Sequence, residues 1–160
     1  MKKIETLCQL LDEKAGCFHE YDDATEKLLT VHIDEIENQV NRRQRLIPKI
    51  DYLDARLHET AQSMDGLSEA AWDAVRLQKA KSEIPEILWP VFEKAQEVYA
   101  IANRIRLKEP LVIDRIEEEL EGLSEKIREN NRSVSAKAAR FSQAFQVGLG
   151  AGTPERARHI

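Results

Sequence analysis

Four histidines and two cysteines are the side chains best suited to hold a metal or act as nucleophiles. A di-metal centre in a helical bundle needs Glu-x-x-His pairs on two helices, because residues three apart share one helix face. The residues three before His19, His32, His58 and His159 are Gly16, Leu29, Ala55 and Arg156. None is acidic, so no metal site of this kind is expected. Cys8 and Cys17 are nine residues apart in one predicted helix. That spacing rises about 13 Å, too far for a disulfide within the helix. It is not a zinc-ligand spacing either, so both read as core thiols of a reducing compartment. No glycine-rich loop follows a strand to cradle phosphate. No local arrangement of Ser, Cys and His suggests a catalytic triad. The chemistry-bearing residues therefore lead to a protein that is not an enzyme, with no catalytic residues and no cofactor.

The elements that carry these residues are helical. From Lys3 to about Leu57 the only glycine is Gly16 and the only proline is Pro48. Ile4, Leu11, Phe18, Thr25 and His32 recur every seven residues, and Leu7, Lys14, Tyr21 and Leu28 form a second row. This is a heptad seam with polar interruptions, in which His32 would fix register. From Leu29 the rows shift to Leu29, Ile36, Arg43, Ile50, Leu57 and Ile33, Val40, Ile47, Asp54. A four-residue slip of this kind is a stutter. The pattern predicts one very long first helix over residues 3–57, kinked at Pro48.

Turn chemistry follows at Ala61–Ser68, and Ser68 is suited to cap a short helix over 69–80 with Trp72 and Val75 inward. Ser82-Glu-Ile-Pro reads as another helix start. Ile84, Val91, Val98 and Ile105 are then spaced by seven, with Leu88, Ala95 and Ala102 beside them. Pro90 should kink this run, unless the helix begins nearer Trp89, and Lys108-Glu-Pro reads as its stop, with Pro110 opening the next helix. Ile113, Leu120, Ile127, Val134 and Phe141 continue at seven-residue spacing. The expected fold is all-α: an elongated, coiled-coil-like antiparallel bundle of three to four helices. Residues 1–147 would form a single domain, and the glycine-containing residues 148–160 a flexible tail.

Charge narrows the partners. The chain of 160 residues carries a formal net charge of -5, which speaks against a general nucleic-acid binder. Arg42, Arg43, Arg45, Lys49 and Arg56 make a local basic cluster, whereas residues 1–40 hold four Lys and ten Asp/Glu. The cluster reads as a solvated face pairing with Glu117, Glu118, Glu119 and Glu121, because no aromatics are interleaved to stack on bases. The i, i+4 pairs Asp54/His58 and His19/Asp23 read as surface pairs. No apolar run reaches transmembrane length. The N-terminus enters amphipathic sequence at once, without the apolar core of a signal peptide. Cytoplasmic location and no membrane insertion are expected.

Val134, Ala138, Phe141 and Phe145 share one stripe at the end of the last predicted helix. They could finish the core against Leu7, Leu10 and Leu11, or dock a partner helix as helix-in-groove. The first sixty residues resemble the FlgN family of flagellar export chaperones. The resemblance lies in Leu7, Leu10 and Leu11, in Ala24-Thr-Glu-Lys-Leu-Leu, and in Arg43-Gln-Arg-Leu-Ile-Pro-Lys-Ile-Asp-Tyr-Leu-Asp. It implies a cytoplasmic all-α chaperone that binds terminal helical segments of hook–filament junction proteins, flagellar hook-associated proteins, before type III export. In that family the C-terminal helix makes the contact, which maps onto Val134, Ala138, Phe141 and Phe145. The alternative is a non-enzymatic coiled-coil adaptor or scaffold that forms a homodimer through its long N-terminal helix.

Overall fold

The structure is a computed structural model and describes residues 2–129. Among these, every regular element is helical, and the helices pack against one another as an all-α bundle. The order is α1 (Lys2–Thr30), α2 (Ile33–Gln62), α3 (Ser68–Arg76), two short 3-10 turns (Lys81–Glu83 and Glu86–Leu88) and α4 (Trp89–Glu129). Many of the apolar heptad positions face inward. Ile4, Leu7, Leu11 and Leu28 are buried, as are Ile84, Val91, Val98 and Ile105.

The single long first helix expected over residues 3–57 is instead two helices, broken at Val31–His32. The break falls where the apolar rows slip. A tight helix–helix turn changes the phase of a seam just as a stutter does. Both new ends are capped by side chains. Arg115 Nη1 and Nη2 donate to the carbonyls of Leu28 (2.7 Å) and Val31 (2.5 Å), satisfying acceptors that the end of α1 leaves orphaned. At the start of α2, the Asp34 N–H donates to His32 Nδ1 at 3.3 Å. His32, read from the sequence as a seam residue, is thus a mostly exposed cap with a side chain 74% exposed.

Of the prolines, Pro110 departs from expectation. Pro48 lies inside α2 without ending it. Pro90 falls in the first turn of α4, where a missing N–H costs nothing. Pro110, expected to open a new helix, lies within α4. Its ring faces solvent, while Val112, Ile113 and Ile116 continue the buried rows beyond it. Burial of those three side chains outweighs one lost hydrogen bond. Helix α3 ends at Arg76 rather than near residue 80, and Ser68 is its first residue rather than a side-chain cap.

The chain forms two compact units. The first comprises Met1–Asp22 and Leu46–Arg106, and the second Asp23–Arg45 and Leu107–Ile160. The first is built on an apolar cluster that includes Leu7, Leu10, Leu11, Leu57, Met64, Ala74, Leu88, Val91 and Phe92. In this unit α1 and α2 are antiparallel: Lys3 Nζ donates to the Ser63 carbonyl at 2.6 Å, and Lys14 meets Asp54 at 2.5 Å. Helices α1 and α4 run parallel there. The pairs Asp12–Lys94 (2.9 Å) and Asp22–Arg104 (3.8 Å) advance by equal steps along both. Helix α2 has already returned the chain to the end where α1 begins, and the connection that follows reverses its direction before α4. Within it, Trp89 Nε1 donates to the carbonyls of Ile84 (3.0 Å) and Lys81 (3.2 Å).

The second unit has a smaller cluster of Leu28, Ile36, Val40, Val112 and Ile116. Ion pairs surround it: Arg42–Asp23 at 2.7 Å, Arg43–Glu109 at 2.7 Å and Lys108–Glu26 at 2.5 Å. Arg42 and Arg43 therefore pair with Asp23 and Glu109, not with the Glu117–Glu121 run expected from the sequence.

Candidate functional site

Val134, Ala138, Phe141 and Phe145 lie outside the described residues. The leucines they were weighed against do not. Leu7, Leu10 and Leu11 are buried in a cluster with Leu57, Met64, Val91 and Phe92. Those leucines thus have described partners from α2, α4 and the connection between α2 and α3.

Among the described residues, the histidines and cysteines build no centre. No group of three or more His, Cys, Asp or Glu among the described residues is arranged to hold a metal ion. Asp54 pairs with Lys14 rather than His58. Asp23 pairs with Arg42 and Lys27. Cys8 and Cys17 are free and half-buried. Burial pushes both thiols up from their ordinary value, against the direction that activates a nucleophile. No described helix is long and apolar enough to cross a membrane.

A groove of about 560 Å³ in the first unit could receive a partner. Four helices and the residues after α3 form it. Leu11, Lys14 and Phe18 come from α1, Asp54 from α2, Trp72, Val75 and Arg76 from α3, and Ala95, Val98, Tyr99 and Ala102 from α4. Small residues at Ala95 and Ala102 keep the α4 wall low. Tyr99 stands at the rim with 60% of its surface exposed.

The α3 wall is held in place. The Trp72 ring lies 4.6 Å from the His58 ring, their planes at 60°, and the Arg76 guanidinium sits 4.9 Å from the Trp72 ring centre. An aromatic with both neighbours fixed is an anchor whose ordering cost is already met before a ligand arrives. Leu77 then closes α3 in the left-handed region, at φ 55°. Its N–H bonds the Ala74 carbonyl at 3.3 Å, and the Gln78 N–H bonds the Asp73 carbonyl at 2.9 Å. Glycine is the usual residue here, and a leucine costs about 1–2 kcal/mol of backbone strain. That cost places an apolar side chain in the groove lining and against the core.

The polar groups are few. Lys14, its side chain only 19% exposed, is neutralised by Asp54. A second apolar hollow of about 430 Å³ is lined by Glu13, Cys17, Pro48, Lys49, Tyr52 and Leu53. Fewer segments build it, and its tyrosine, Tyr52, is turned toward Arg56 by a hydrogen bond of 3.1 Å.

The sequence reading missed the first groove. Trp72 and Val75 were assigned to the interior, where both partly lie. Nothing in their spacing marks one edge as open. The one local signal is a helix ending at Leu77-Gln78 with no glycine. Comparison with known protein families, with curated proteins and with solved structures finds no match to this chain.

Proposed function

We propose that this chain is a non-enzymatic holding protein that takes up an amphipathic helical segment of a protein client. One observation carries the reading: an open, largely apolar groove whose Trp72 is held between His58 and Arg76 and whose Leu77 is kept in place at a cost in strain. Strained positions recur where a surface must be kept ready for a ligand. The groove offers apolar side chains and no reactive constellation, which suits shielding rather than chemistry.

The client class rests on the sequence resemblance over Ala24–Leu57 alone. It names terminal helical segments of hook–filament junction proteins, held in the cytoplasm before type III export. The same resemblance adds Val134, Ala138, Phe141 and Phe145 as contacts. A client stripe burying about 400 Å² of apolar surface gains on the order of 10 kcal/mol, before association and ordering costs of similar size. The balance favours reversible holding over a permanent complex.

The adaptor alternative has less support. Its dimer seam would use Leu11 and Ile36, which are 1% and 2% exposed in the chain's own cores. Leu11→Lys or Ile36→Lys is therefore expected to unfold the chain rather than only separate a dimer.

Calorimetric titration with the C-terminal segments of hook–filament junction proteins tests the proposal. Two variants locate the contact: Tyr99→Asp at the groove rim and the Phe141→Asp, Phe145→Asp pair on the C-terminal stripe. Saturable binding that a folded variant loses supports holding and says which surface does it. Absence of binding to every such segment overturns the client assignment.

A further inference from the structure

We propose that the groove selects its occupant by charge: the helix it holds carries carboxylates on the flank that meets α3 and uncharged residues on the flank that meets α4. This rests on the reading that the groove holds a helix, and adds which helix. Two cations line the groove, and they differ. Lys14 is matched by Asp54 at 2.5 Å. Arg76 lies over the Trp72 ring and meets Asp73 at 3.6 Å, a carboxylate that Lys79 shares at the same distance of 3.6 Å. Of the charged residues that line the groove, Lys14 and Arg76 face one carboxylate, Asp54, which leaves a positive charge at Arg76. The Arg76 side chain is 45% exposed, so its planar fork of N–H donors can reach a carboxylate on a docked helix.

The α4 wall offers no such charge. Its lining residues are Ala95, Val98, Tyr99 and Ala102. The nearby cations Lys94 and Arg104 are engaged by Asp12 at 2.9 Å and Asp22 at 3.8 Å. The groove is therefore polarised across its width, and an amphipathic helix with acidic residues on one flank fits one way round. The chain's own C-terminal stripe is a poor match. Residues 130–147 contain Arg132, Lys137 and Arg140 and no Asp or Glu. Docked in the groove, they would set cations against Arg76.

The test uses the full chain and two fluorescein-labelled peptides of about five helical turns. Both share one Leu/Ala stripe; one has Glu on its flank and the other Lys. Anisotropy titration should show the Glu peptide binding roughly tenfold tighter at low salt, with the gap narrowing as salt is raised. Arg76→Glu should reverse the preference and Arg76→Gln should abolish it, with helical circular dichroism unchanged in both. Equal binding of the two peptides, unaltered by either variant, overturns the charge selection and leaves the groove as a helix site. Binding of neither peptide overturns the groove reading and this inference together. Tighter binding of the Lys peptide to the unaltered chain overturns the inference alone.

Discussion

The two units of the chain are held by different means. The first buries a cluster of sixteen residues, contributed by all four helices and the segments between them. Among the described residues of the second, the cluster is Leu28, Ile36, Val40, Val112 and Ile116, and charge encloses it. Arg115 grips the end of α1, Arg43 reaches Glu109 from a side chain 10% exposed, and Asp23 holds both Arg42 and Lys27. Apolar burial is non-directional and scales with area. Hydrogen-bonded ion pairs are directional and nearly cancel their own desolvation. The first unit is thus expected to tolerate an uncovered groove because its core is large. The described part of the second is positioned by a few directional polar contacts.

Truncation in the larger core should have the greatest effect. Leu57 is fully buried. Leu57→Ala should cost about 3–4 kcal/mol through lost burial and a cavity that closes only in part. Chemical denaturation measures it. A loss below about 1 kcal/mol would mean that the first unit is not organised by this cluster.

Arg115 tests the other half of the contrast. Its two bonds end α1 and so fix where the helical hairpin turns. Arg115→Ala should cost about 2 kcal/mol, the range for charged hydrogen bonds to backbone. Faster amide exchange should appear in the last turn of α1 and the first turn of α2. Arg115→Lys should recover only part of this, since an ammonium lacks the fork that spans two carbonyls. If Arg115→Ala is silent while Ile36→Ala costs several kcal/mol, the second unit is held by its apolar cluster after all.

The same contrast explains what the sequence made legible. Helical content and inward faces follow from apolar spacing, and Ile84, Val91, Val98 and Ile105 are all buried as that spacing requires. The first unit, dominated by such rows, was largely readable. The break at Val31–His32 was not, because the slip of the apolar rows there fits a stutter as well as a turn, and what decides between them is polar and distant. No glycine or proline marks it, and the residue that caps it, Arg115, lies far along the chain. The run of α4 through Pro110 was missed for a related reason. A local rule against proline in helices was overruled by burial of Val112, Ile113 and Ile116. The groove escaped because it is an absence of cover, made by residues from α1, α2, α3 and α4 that share no local pattern.

Acid should separate the units by the smallest margin. Hydrogen bonds from Arg42 and then Lys27 hold the Asp23 carboxyl below its ordinary value. A depressed carboxyl stabilises the folded state fully above its unfolded pKa, about 3.9, and loses that contribution as pH falls through the lower folded value. Below about pH 4, opening of the Asp23–Arg45 segment should therefore become easier, and Asp23→Asn should flatten that dependence by removing the titrating group. Because Asp23 is solvent-exposed and its partners are screened, the change should be visible in residue-level hydrogen exchange and barely in global melting. An acid dependence that Asp23→Asn leaves unaltered would assign the sensitivity to another carboxylate of the second unit, with Glu109 beside Arg43 the first to substitute.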